Sequence, residues 1–335
     1  MALGFAYSII DLIMLCVTTV EFKVIQDDHV IGLIIPGHGL QQGDSISPYM
    51  FIICVESLTT IIRNYESRGL IHRCKVARSA PIISHLFFAN DSFFFFKANM
   101  QECQHIKECF SIYEKASGQL INFQKSSLSF NQNVGNQMRR EMCTFLNVNE
   151  VVEHGKYLGL PSMIGRNKKE VFSFISFFLL KTVVQSISSY VQSISSYVMQ
   201  VFLLPISLCM EIERMMNSFW WGSNGVNNKG IKWMSWNKLS MQKSQGGMGF
   251  RNLHEFNLAM LGKQGWKLLT DTKSLVARVY RARHFPNGTF LNAELGFNPS
   301  YVWRSIMEAQ HVVKSNTRWR IGKGNEVCVY GESRG

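Results

Sequence analysis

No stretch of this chain restricts its fold more than SHLFFANDSFFFFKAN, residues 84–99. Two Phe-rich runs flank a short polar step made of Ala89, Asn90, Asp91 and Ser92. Apolar runs broken by a step of this size read as strand, tight turn, strand. Two explanations compete for the Asn-Asp pair at the tip of so apolar a hairpin. Both residues are good turn formers, because their side chains bond nearby backbone and tolerate left-handed conformations. A carboxylate held at a hairpin tip is also a way to present a metal ligand from a rigid support.

The elements around the hairpin set its context. EFKVIQDDHVIGLIIPG alternates as a pair of strands joined at Asp27-Asp28, and the loop HGLQQGDSISP follows, punctuated by Gly39, Gly43 and Pro48. PYMFIICVESLTTIIRNYESRG has helical spacing, with Pro48 to open it and Gly69 to stop it. After the hairpin, QECQHIKECFSIYEKASG predicts a second amphipathic helix ending at Gly118, and QLINFQKSSLSF predicts a strand. That order predicts an α+β fold, an antiparallel sheet with helices on one face, over 1–130. A connector (131–210) and a mostly helical region (211–335) follow. KYLGLPS at 156–162 reads as a short strand or turn, and VQSISSY at 184–190 recurs at 191–197. Seven residues make two helical turns, so the copy would keep nearly the same helix face.

With 335 residues, 46% of them hydrophobic, the chain can bury a sizeable core. The eight cysteines are scattered with no CxxC pair, which predicts reduced thiols and an intracellular protein, nuclear or cytoplasmic and not secreted. The N-terminus MALGFAYSIIDLIMLCVTTVEF lacks a basic leader, Asp11 interrupts it, and its longest apolar run is too short to span a bilayer. It predicts a buried amphipathic helix and no membrane partner. Charge is uneven: residues 1–150 hold 12 Lys/Arg against 13 Asp/Glu, and 151–335 hold 23 against 10, net −1 and net +13. A basic half with interleaved Trp and Tyr suits a polyanion, nucleic acid first of all. For the Trp pairs WW and WxxW, spacing favours a core role.

Taken in order, GLQQGDSISPYMF, FAND, ASGQLINFQKS and YLGLPS resemble the palm of a reverse transcriptase, closest to the non-LTR (LINE-type) retroelement polymerases common in plants. The tract from SFWWG through GGMGFRNL resembles the basic, Trp-rich region that follows the polymerase in those elements. The resemblance implies a partial palm followed by a mostly helical thumb, an RNA or DNA template-primer partner, dNTP substrates, and Mg2+ held by converging carboxylates. It assigns Asp91 as metal ligand and catalytic residue, with Asn90 beside it. Lys125 matches a lysine near the pyrophosphate leaving group, where an ammonium can act as general acid. Gly39, Gln42, Gly43, Ser47 and Pro48 match the nucleotide and template loop, and Tyr157, Leu158 and Gly159 match the turn supporting the primer end. Lys229, Lys232, Lys238, Lys243 and Arg251 are the candidate nucleic-acid-binding cations.

The pattern is broken twice. The family's upstream Asp-bearing strand has no counterpart before Gly39, and Asn90 stands where the family's FADD has Asp. An amide cannot compensate a divalent charge as a carboxylate does. The expectation is a degenerate, catalytically inactive reverse transcriptase fragment that retains RNA or DNA binding. The alternative is a non-catalytic nucleic-acid-binding or structural module.

Overall fold

The computed structural model describes residues 4–35, 43, 45–151, 198–222 and 231–318, with the backbone of 156–157 and 160–161. The chain is mixed α+β and divides into two compact units: Met1–Cys74 with Ile83–Val152, and Lys75–Ile82 with Glu153–Gly335. The VQSISSY duplication lies outside the described residues.

The first unit opens with α1 (Tyr7–Thr18) and the hairpin β1 (Phe22–Gln26) and β2 (His29–Ile34). Asp27 and Asp28 both take left-handed conformations (φ 51° and 62°), as the turn read from the sequence requires. The expected burial of α1 is not found. None of its residues is buried, and Leu12 is 62% exposed. Its apolar residues run consecutively around the helix instead of forming one stripe, and no described element covers them.

The core of this unit lies farther on. Helix α2 (Ser47–Ser67) starts with Pro48 inside its first turn, where a missing N–H leaves no bond unmade. A short ladder, β3 (Cys74–Lys75) with β4 (Ile82–Ile83), leads to the Phe-rich hairpin, β5 (His85–Phe88) and β6 (Asp91–Phe94). Helix α3 (Met100–Ser117) follows, capped by the Asn99 side chain, which accepts from Glu102 N–H at 2.8 Å. Leu58 and Ile62 of α2 meet Ile106, Cys109, Phe110 and Tyr113 of α3, and Phe87 and Phe94 close one side.

The strand predicted over QLINFQKSSLSF is mostly a turn. Asn122 accepts the Lys125 N–H at 3.1 Å and starts a 3₁₀ turn over Phe123–Lys125. A side chain that captures nearby backbone in this way competes with strand pairing. Only β7 (Ser127–Leu128) remains extended, parallel to β8 (Asn149–Glu150) across α4 (Asn136–Leu146). The single antiparallel sheet expected from the sequence is therefore absent among the described residues, where every sheet has two strands.

The second unit contains the small hairpin β9 (Lys156–Tyr157) and β10 (Leu160–Pro161), then a helical turn at 198–201 and helices α5 (Ile206–Trp220), α6 (Trp236–Leu239) and α7 (Leu253–Thr270). It ends with α8 (Leu275–His284), α9 (Tyr301–Glu308) and α10 (Gln310–Asn316). Helix α7 is the hub. Its fully buried Asn257 accepts Leu204 N–H at 2.7 Å and donates to the carbonyls of Met199 and Phe202 at 2.8 and 3.0 Å. Ser305 accepts Leu203 N–H, and the Tyr301 hydroxyl donates to the Leu203 carbonyl. The GGMGF run has a structural cause: a Cβ on Gly247 would lie 2.1 Å from the Met241 carbonyl oxygen, so the loop closes only on a bare backbone.

Candidate functional site

The hairpin tip is tighter than the four-residue step in the sequence suggests. Ala89 and Asn90 alone form the turn, and Asp91 and Ser92 already belong to β6. Ala89 takes φ 49°, a left-handed conformation that a methyl side chain disfavours. Directly opposed residues of an antiparallel pair share a face. His85 opposite Phe94 and Phe87 opposite Ser92 therefore share one face, while Leu86 opposite Phe93 and Phe88 opposite Asp91 share the other. Phe87 and Phe94 pack into the core, so Asp91 lies on the outward face. Phe88 beside it is 58% exposed.

A ladder of rings joins this hairpin to the turn that carries Lys125. Phe87 meets Phe94 at 5.8 Å between centroids, Phe94 meets Phe110 at 4.9 Å, and Phe110 meets Phe123 at 6.2 Å. The segment between α3 and Lys125 is tied back to the helix, with Ile121 N–H donating to Glu114 at 2.8 Å and Gln119 N–H to Ser117 Oγ at 3.2 Å. Tyr113 hydroxyl also donates to Gln119 Oε1. Asn122 was visible within the motif ASGQLINFQKS, but its role as the residue that shapes the turn before Lys125 emerges only from the bonds.

The remaining predicted residues are spread out. Gly43 has φ 92°, with no heavy atom in reach of a Cβ, while Ser47 and Pro48 open α2. Tyr157 pairs with Leu160 in the second unit. Gly39, Gln42, Leu158, Gly159 and Lys229 lie outside the described residues.

The donor set at the tip does not fit Mg2+. That ion takes near-octahedral oxygen coordination and leans on carboxylate charge, whereas the tip offers one carboxylate and one neutral amide. Among the described residues, no group of three His, Cys, Asp or Glu side chains is placed to hold a metal ion. The buried thiols are not nucleophiles either. Burial pushes Cys103 and Cys209 up to about 11 and Cys109 up to about 12, which keeps them protonated.

Glu102 is the most buried carboxylate among the described residues of the first unit, and sequence reasoning missed it. Glu102 accepts from the backbone N–H of His72 and Lys97 at 3.0 and 2.9 Å, from His72 Nδ1 at 2.8 Å and from Asn99 Nδ2 at 3.3 Å. Burial pushes its pKa up, but these bonds together outweigh it and hold the carboxyl below the usual range. The Asn99-Glu102 spacing is a capping-box pattern, the one signal that was there to read.

In the second unit Lys232, Lys238, Lys243 and Arg251 are all exposed, and none is ion-paired among the described residues. The core role expected for the Trp pairs is only partly found. Trp236 is buried and donates to the Arg251 carbonyl at 3.2 Å. Trp233 is 74% exposed, because α6 begins only at Trp236 and helical spacing does not reach back to it. Trp220 is 47% exposed.

No protein-family model matches the chain. It is 36% identical over 133 residues to the uncharacterized mitochondrial protein AtMg00310 of Arabidopsis thaliana, covering 39% of this chain and 86% of that protein. It is 43% identical over 61 residues to the uncharacterized mitochondrial protein AtMg01250 of the same plant, covering 18% of this chain and half of that protein. It is also 28% identical over 141 residues to an Arabidopsis protein named "Putative ribonuclease H protein At1g65750", covering 38% of this chain and 21% of that one.

Proposed function

The chain belongs to the family of the Arabidopsis mitochondrial protein AtMg00310, and on that premise we propose that it is a non-polymerising remnant of a retroelement reverse transcriptase that binds RNA or DNA through its basic second unit. The observation that carries the reading is the ring ladder Phe87–Phe94–Phe110–Phe123. It puts the hairpin bearing Asn90 and Asp91 on the same core as the turn bearing Lys125, with α2 against that core. The helix opening at Ser47-Pro48, the FAND hairpin and the ASGQLINFQKS turn thus share one core, while YLGLPS lies in the second unit.

The chemistry separates ancestry from activity. Phosphoryl transfer with two metals needs several carboxylates converging within about 4 Å. Asn90 supplies none of that charge. Lys125 and the outward Asp91 retain the residue types of the resemblance without the partner that would make them catalytic. A partial match to a protein named for ribonuclease H agrees with a nucleic-acid partner.

Template-primed dNTP incorporation tests the proposal. The chain is expected to give no incorporation above a heat-killed control with Mg2+ or Mn2+. A version with Asn90→Asp and an added upstream Asp-bearing strand is expected to extend primer. Incorporation by the unaltered chain would overturn the inactive reading. Failure of the unaltered chain to bind RNA or DNA even at low salt would overturn the binding reading.

A further inference from the structure

We infer that Trp266, flanked by Lys263 and Lys267, is a stacking platform for the bases of single-stranded nucleic acid. The inference rests on the reading of the second unit as nucleic-acid-binding, and it specifies the element and the strandedness.

Helix α7 is locked from one side. Leu253, Asn257, Leu261, Gly262, Gly265 and Leu268 are all buried. Its other side carries Glu255, Ala259, Lys263, Trp266 and Lys267, all exposed. Residues three and four apart on a helix are neighbours, so Lys263 lies next to both Trp266 and Lys267. Trp266 is 47% exposed, a large apolar area to leave in water. Trp303 and Trp236 by contrast are buried, and their indole N–H groups donate to the carbonyls of Leu295 and Arg251. No such bond to the Trp266 N–H occurs among the described residues. Asp271 follows at the end of the helix, one turn beyond Lys267, yet it forms no ion pair with it.

An indole presented by a rigid helix beside two ammonium groups, neither ion-paired among the described residues, fits one class of ligand closely. The ammoniums neutralise phosphates, and the ring takes an unpaired base on its face. Bases in a duplex already cover each other's faces, so a duplex can use the lysines but not the ring. An acidic peptide would likewise use only the charges. More exposed cations follow on α8, where Arg278 and Arg281 have no ion-pair partner among the described residues. These add to the positive charge of the same unit.

The test measures binding of the full chain to a labelled oligouridylate, to a duplex of equal length and to polyphosphate, each as a function of salt. Trp266→Ala is expected to weaken oligouridylate binding roughly 5- to 150-fold. Binding of duplex and polyphosphate should stay unchanged, which also shows that the variant is folded. Trp266→Phe should retain most of the affinity. Lys263→Gln and Lys267→Gln should each flatten the salt slope for single strands by about 0.7. The inference is overturned if Trp266→Ala binds oligouridylate as the parent does, or loses polyphosphate equally. If the parent binds none of the three, nucleic-acid binding by the second unit falls and takes this inference with it.

Discussion

The first unit seats its buried polar contacts on a carboxylate, Glu102, whereas the second seats them on an amide, Asn257. The same contrast runs through their surfaces. In the first unit Arg63 meets Glu56, Arg73 meets Glu66 and Arg139 meets Glu150 at 3.8, 3.3 and 2.9 Å. Lys107 donates to the Phe145 carbonyl at 2.9 Å. Among the described residues of the second unit, the bonds that fasten segments to one another come chiefly from uncharged groups, those of Asn257, Ser305, Tyr301 and Gln310. One carboxylate, Glu213, joins them by accepting Leu253 N–H. With its architecture fastened largely by neutral groups, the second unit leaves its cations free to face outward. In the first unit several of the charged side chains are engaged within the unit itself.

The largest expected effect tests whether the two units stand on separate supports. Asn257→Leu strands a backbone N–H and two carbonyls in a dry site, and it should cost about 3–5 kcal/mol. Hydrogen exchange on the full chain should then show lost protection over α5, α7 and α9 with α2 and α3 unchanged. Equal loss in α2 and α3 would merge the units energetically and end the comparison.

A smaller effect, about 1–3 kcal/mol, is expected from Glu102→Gln, read out in α2 and α3 by the same exchange measurement. Its pH behaviour sharpens the contrast. The folded carboxyl lies below its ordinary 4.5, so its contribution is present above that value and is lost as pH falls through the folded one. The Gln variant should show no such acid loss in the first unit.

A third effect separates the units by pH. Burial, helped by Arg283, lowers His284 to about 4, and its ring stacks on Trp303 at 4.3 Å. The native imidazole is neutral while the unfolded one takes a proton near 6.5, so stability is complete above that pH and declines toward 4. On acidification α8 and α9 should lose protection before α2 and α3 do. His284→Phe should remove the early loss, and simultaneous loss in both units would contradict the assignment.

What could be read in the sequence was what depends on neighbours along the chain. Asp27-Asp28, Pro48, the Phe-rich hairpin, Gly118 and the helices of the second unit were visible because turn chemistry and helical spacing act locally. The strand predicted after Gly118 failed through one side chain, Asn122, whose bond to Lys125 N–H outcompeted extension. Helix α1 failed for the opposite reason. Its composition suited burial, but burial depends on a partner surface that no local pattern reveals. At the candidate site, Asp91 and its amide neighbour were legible as types. The face to which Asp91 belongs was not, because it follows from a two-residue turn where four polar residues suggested a longer one.

One contact between α7 and the core has a bearing on the opposite side of the helix. A Cβ built on Gly265 would come within 2.4 Å of the Phe290 ring, so α7 can approach that ring only where it has no side chain. Residue 266 is the next step around the helix, about 100° on. The depth at which Gly265 settles thus fixes how far the neighbouring indole stands clear of the surface. A single added methyl on the inner side would lever the helix outward and re-aim Trp266 without altering any outer residue. The outer face is in this sense cast by a vacancy behind it.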